Sequence, residues 1–161
     1  MTVRPEEKES LSMSEAASDI LEECRMVLPG IQALFGFQLI AVINSGFSER
    51  LREGEQLCHL VAIGFVAIAV ALVMAPAAYH RQTGIKEVSG HFLMIASRLL
   101  LWSMIPLMFG VSLDFYIIAR LILHNEAVSA ALAAGLLCVF ASLWFLLPRC
   151  NFLRNILGRE D

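Results

Sequence analysis

Four apolar runs, parted by short polar stretches, set the pattern of this chain. The clearest is Leu57–Tyr79, which has no Asp, Glu, Lys or Arg. As a helix it is about 34 Å long, enough for a bilayer core of about 30 Å. In hydrocarbon only the helix itself satisfies its backbone groups, so the run predicts a transmembrane helix. The other predicted spans cover about residues 26–46, 93–118 and 127–147. The third opens near His91 and carries Pro106, which removes a backbone bond and predicts a kink. Pro148 stops the fourth.

Ahead of the first span the period changes. Residues 1–11 are charged, and Ser12 with Glu15 fits a capping box that starts a helix. Met13, Ala17, Ile20, Cys24, Val27 and Ile31 then mark one helical face. Residues 1–25 are read as a cytoplasmic segment containing this amphipathic helix. Pro29 sits at its junction with the span, where it either bends the helix or opens a new first turn. After Pro148 the basic tail, 148–161, has the pattern of a short helix lying on the membrane surface. The predicted fold is all-α, a four-helix integral membrane bundle in up-down order within residues 26–147.

Composition agrees. The 161 residues are 58% hydrophobic and only 17% charged, with a formal net charge of −3. That balance leaves no basic face for nucleic acid. No signal peptide or lipidation signal opens or closes the sequence. Nine of the twelve Lys and Arg residues fall in the N-terminal segment, the second loop with Arg98, and the tail. The positive-inside rule places both termini in the cytoplasm and the protein in the inner membrane. The four cysteines then lie where no two meet in an oxidising space, so no disulfide is expected. No internal repeat, zinc spacing, Ser-His-Asp set or phosphate loop stands out, and neither an enzyme nor a cofactor is expected.

Two sets of polar residues are candidates for function. Glu22, Glu23, Arg25, His80, Arg81 and Arg98 gather at the cytoplasmic interface. They read either as a charged gate or as anchors and interhelical clips. Gln32, Gly36, Asn44 and Asp114 are pathway candidates. Gln32 and Gly36 share a face of the first span and suit a helix contact or a lining position between subunits. Gln38, on another face, reads as an interhelical hydrogen bond. Asp114 is an intramembrane acid, read either as a site for cations or protons or as a group reaching water, Arg120 or Arg50. The alanine rows 67/71/75 and 127/131/135 (the last a glycine) suit close helix approach, within a bundle or between subunits.

The stretch from Glu22 to Phe37, with Glu23, Arg25, Pro29, Gly30, Gln32, Leu34 and Phe35, resembles the opening of a family of small bacterial membrane proteins. So do Ala75-Pro76-Ala77-Ala78-Tyr79-His80-Arg81 and Ala96-Ser97-Arg98. The family is of unknown function, and its members often carry an automatic sodium:proton antiporter label. The resemblance covers roughly residues 20–100 and implies a four-helix membrane protein.

Function follows along two lines. One is a homo-oligomeric ion channel or cation transporter for monovalent cations or protons, with the pathway between subunits because four helices leave little interior. The other is a non-transporting accessory or scaffold subunit of a larger membrane complex.

Overall fold

The computed structural model describes residues 5–83 and 90–149, with side chains from Glu15 to Gln82 and from Gly90 to Pro148. The expected surface helix of the tail and the middle of the second loop lie outside the described residues. The elements in order are α1 (Pro5–Ile43), α2 (Gly46–Arg50), α3 (Glu53–Thr83), α4 (Gly90–Leu123) and α5 (Glu126–Ala141). A π-helical turn, Ser142–Leu146, and a 3-10 turn, Leu147–Arg149, follow α5. No strand occurs among the described residues. Four helices are long and apolar enough to cross a membrane: Glu15–Ile43, Glu53–Gln82, Gly90–Leu123 and Glu126–Leu146. The protein is an all-α four-helix membrane bundle.

Several helix ends differ from the sequence pattern. α1 starts at Pro5, not Ser12, and runs unbroken through Pro29. Proline at the first position costs no helical hydrogen bond, because its N–H would be unpaired there anyway. The amphipathic segment and the first span are therefore one helix. The first loop holds the short α2, and α3 begins at Glu53 rather than Leu57. Glu55 explains that early start: its Oε2 accepts from the backbone N–H of Arg52 at 2.9 Å, the reverse half of a capping box. The third loop shrinks to His124 and Asn125. His124 takes a positive φ of 53° to turn the chain, and Asn125 caps α5 through Val128 N–H at 3.2 Å.

The core is a set of seven-spaced seams. On α1 the buried residues are Ala17, Cys24, Ile31 and Gln38. On α3 they are His59, Val66 and Val73, interleaved with Ala62, Ala69 and Pro76. On α4 Ser103, Gly110 and Ile117 repeat the spacing. A seven-residue repeat keeps one stripe of each helix facing its neighbours. The predicted α1 face holds at Ala17, Cys24 and Ile31, but Val27 turns outward and Leu28 packs in its place. Ile31, Val66, Val73 and Leu100 form the central cluster, while Ala17 packs with Phe92 and Ala96.

α3 and α4 approach closely at Gly110. A β-carbon there would lie 2.8 Å from Val66 Cγ2 and 3.1 Å from the Ala62 carbonyl oxygen. The two alanine rows noted in the sequence lie mostly on the outside of the bundle, with Ala75 half-buried. Ala67 and Ala71 are exposed, as are Ala127, Ala131 and Gly135. α5 packs along α4 with only Ser129 and Ala133 buried. Cys24, Cys58 and Cys138 are free thiols.

Candidate functional site

Three polar side chains sit on these apolar seams, and the packing brings them together. Gln38 follows Ile31 by seven residues, His59 precedes Val66 by seven, and Asp114 follows Gly110 by four. Each therefore faces the interior near one end of the bundle. His59 Nδ1 lies 2.9 Å from Asp114 Oδ1, and His59 Nε2 lies 3.0 Å from the backbone carbonyl oxygen of Gln38. The Gln38 side chain donates through Nε2 to Asp114 Oδ2 at 2.5 Å. Gln38 is 4% exposed, and the His59 and Asp114 side chains 9% and 14%. Three helices are thus tied by one hydrogen-bonded group.

Donor and acceptor matching constrains where hydrogens can sit in this group. A carbonyl oxygen only accepts, so His59 Nε2 carries a hydrogen. Nδ1 then faces a carboxyl oxygen. Either Nδ1 also carries a hydrogen and Asp114 is ionised, or the carboxyl carries it and donates to Nδ1. Both arrangements hold one proton between Nδ1 and Oδ1 and leave the pair neutral overall. Removing that proton sets a bare ring nitrogen against either Asp114 or the Gln38 carbonyl. One of the two His59 hydrogen bonds is lost, and the site becomes singly negative.

Other charges surround the group. Glu55, four residues before His59 and so about 6 Å along α3, faces Arg120 of α4, with Oε1 3.8 Å from Nε. Glu49 and Arg50 of α2 line the adjoining cleft, and the Cys58 thiol is next in sequence to His59. Phe47 of α2 tilts against the His59 ring, centroids 5.3 Å apart. The cleft beside the group has a volume of about 640 Å³ and is walled by Leu34, Phe37, Ile117 and Leu121. Gln38, His59 and Asp114 all line it. The Gln38 Oε1 atom is buried without a hydrogen-bond partner, an unused acceptor at this point. Among the described residues no group of three His, Cys, Asp or Glu side chains could hold a metal ion.

The residues singled out in the sequence fall in different places. Asp114 is in the buried group, but its partners are His59 and Gln38 rather than Arg50 or Arg120. Gln38 makes the interhelical bond expected of it. Asn44 is exposed at the mouth of the cleft, where its Oδ1 accepts from Gly46 N–H at 3.2 Å and opens α2. Gln32 is exposed on the outside of α1, and nothing lies within 4 Å of a β-carbon built at Gly36. His59 is the member of this buried group that was not among the residues singled out in the sequence. The signal was present: a histidine seven residues before Val66, on the face that α3 buries.

At the opposite end a second cleft, about 550 Å³, lies between α1 and α3. It unites Arg25, His80 and Arg81 of the interface cluster, with Cys24, Leu28 and Val73 deeper. Glu22, Glu23 and Arg98 are exposed and do not line it. No ion pair joins any of the six to another described residue. The cluster of Ile31, Val66, Val73 and Leu100 lies between the two clefts.

No curated protein and no solved structure matches the chain. A family model does match, over residues 6–148, which takes in all four spans and both clefts. The chain belongs to the family of unknown function DUF6328.

Proposed function

We propose that the protein is a proton-linked ion transporter of the inner membrane, with His59 and Asp114 as its proton-binding pair. The observation that carries the reading is the buried Gln38–His59–Asp114 group beside an open cleft. Ionisable residues inside a membrane are expensive to bury and are associated with ion pathways and proton relays. This pair alternates between a neutral and a singly negative form by exchanging one proton. The negative form attracts one monovalent cation, with Asp114 and the unused Gln38 Oε1 as its oxygen ligands. The same exchange breaks one His59 hydrogen bond, which loosens α3 from α1 or α4 and couples occupancy to helix packing.

Assembly of several copies suits the exposed Gln32 and the open Gly36 on α1, since a polar side chain facing lipid gains a partner at a subunit contact. A pathway between subunits would run along that face. Lysine and arginine placement supports cytoplasmic termini, and with them a His59 group toward the outer leaflet. The alternative, a non-transporting accessory or scaffold subunit, draws support from the apolar cluster that closes the interior between the clefts.

The test is proton movement in liposomes carrying the purified protein and an internal pH dye, driven by a potassium diffusion potential and then by monovalent cation gradients. The expected result is flux in the wild type and its loss in Asp114→Asn. A folded wild type that moves no proton under either driving force would overturn the transporter reading and favour the accessory one. Wild-type flux in Asp114→Asn would remove the pair from the mechanism.

A further inference from the structure

The cleft at the opposite end has a different chemistry. Its charged lining is basic: Arg25 from α1 and Arg81 from α3, with His80 beside them. No carboxylate lines it, and neither arginine is ion-paired among the described residues. Glu22, one turn back on α1, is exposed and outside ion-pair distance of Arg25. The His80 ring lies over Phe92 of α4, centroids 5.8 Å apart, which holds that edge of the cleft to a third helix. Below the arginines the walls are apolar, formed by Leu28, Val73, Met74 and Ala77. From Val73 to Arg81 α3 rises about 12 Å, so the cleft passes from the headgroup level into the hydrocarbon.

A groove with cations at the headgroup level and an apolar wall below matches one component that always surrounds a membrane bundle. We propose that this cleft holds one anionic phospholipid. Its phosphate lies between Arg25 and Arg81, and the start of an acyl chain lies against Met74 and Ala77. Paired guanidinium groups suit a phosphate through bidentate hydrogen bonds, and basic pockets between helices bind anionic headgroups. Charge complementarity selects the anionic lipid over a zwitterionic one, whose own cation would meet the arginines. The lipid bridges α1 and α3 at this end of the bundle, and it does so independently of any transport through the His59 group.

The experiment is native mass spectrometry of the full chain from nanodiscs of mixed phosphatidylglycerol and phosphatidylcholine, with retained lipids counted after gentle activation. The wild type is expected to keep one phosphatidylglycerol at least tenfold more often than phosphatidylcholine. Arg25→Gln/Arg81→Gln is expected to lose that preference. Ala77→Phe, which fills the exposed apolar wall and keeps both charges, is expected to lower retention at least threefold. Helicity and elution volume report folding of both variants. Equal retention of the two lipids by the wild type would overturn the proposal, as would undiminished selectivity in the double variant. Displacement of the retained lipid by millimolar glycerol 1-phosphate would also overturn it, because a soluble phosphate would then suffice without the chain.

Discussion

Replacing His59 by leucine removes one partner of a buried pair and leaves the other. Asp114, 14% exposed, would keep only the Gln38 amide, and the Gln38 carbonyl would lose its second donor. Breaking a buried pair from one side costs about 3–5 kcal/mol, because an uncompensated charge remains. Asp114→Asn is different. Its carboxamide can donate to His59 Nδ1 and accept from Gln38 Nε2, so every contact survives between neutral groups. Its expected cost is within about 1 kcal/mol. The double variant His59→Leu/Asp114→Leu removes both charges and fills the space with apolar atoms. It should be at least about 2 kcal/mol more stable than His59→Leu alone, since apolar replacement of a whole buried pair is often neutral or favourable. The assay is equilibrium unfolding in mixed micelles with rising SDS, followed by circular dichroism. A His59→Leu variant as stable as wild type, or a double variant showing additive losses, would refute the reasoning.

Three further outcomes follow from particular contacts. Gly110→Ala drives a methyl group against Val66 and the Ala62 carbonyl and should cost about 1–3 kcal/mol by the same unfolding assay. Gly36→Ala meets nothing within its own chain and gains up to about 1 kcal/mol of helix propensity, so any loss would report a subunit contact by native mass spectrometry. Asn125→Ala removes the α5 cap and should lower stability by about 1 kcal/mol, read as a reduced unfolding midpoint.

The spans were legible because hydropathy acts one residue at a time and the bilayer demands helix. Helix ends were less so. Glu55 starts α3 early by bonding to the Arg52 backbone, and α1 needs no break at Pro29 because that residue lies on its exposed side. The site was half legible. Asp114 stood out as a charge, but its partners depend on how three helices register. That register is set by contacts such as Gly110 against Ala62, which no single span reveals. His59 escaped because it lies within Leu57–Tyr79, a run read only for its lack of Asp, Glu, Lys and Arg. Extending the α1 face by seven residues from Ile31 reaches Gln38, and stepping seven back from Val66 reaches His59. The alanine rows left their face open: small size permits close approach on any face, and inside the bundle Gly110 selects the face carrying Ala62, Val66 and Ala69.

The most direct test of the account is the protonation of the His59 ring itself. Replacing His80, His91 and His124 leaves one histidine, whose two ring nitrogens can be resolved by solid-state 15N NMR in lipid. A shared proton predicts a protonated Nε2 at neutral pH, with Nδ1 either protonated or accepting a strong hydrogen bond from Asp114. It also predicts that Asp114→Asn makes Nδ1 an ordinary acceptor. A neutral ring with a bare Nε2 at neutral pH would contradict the shared proton, and with it the proton-linked reading of the site.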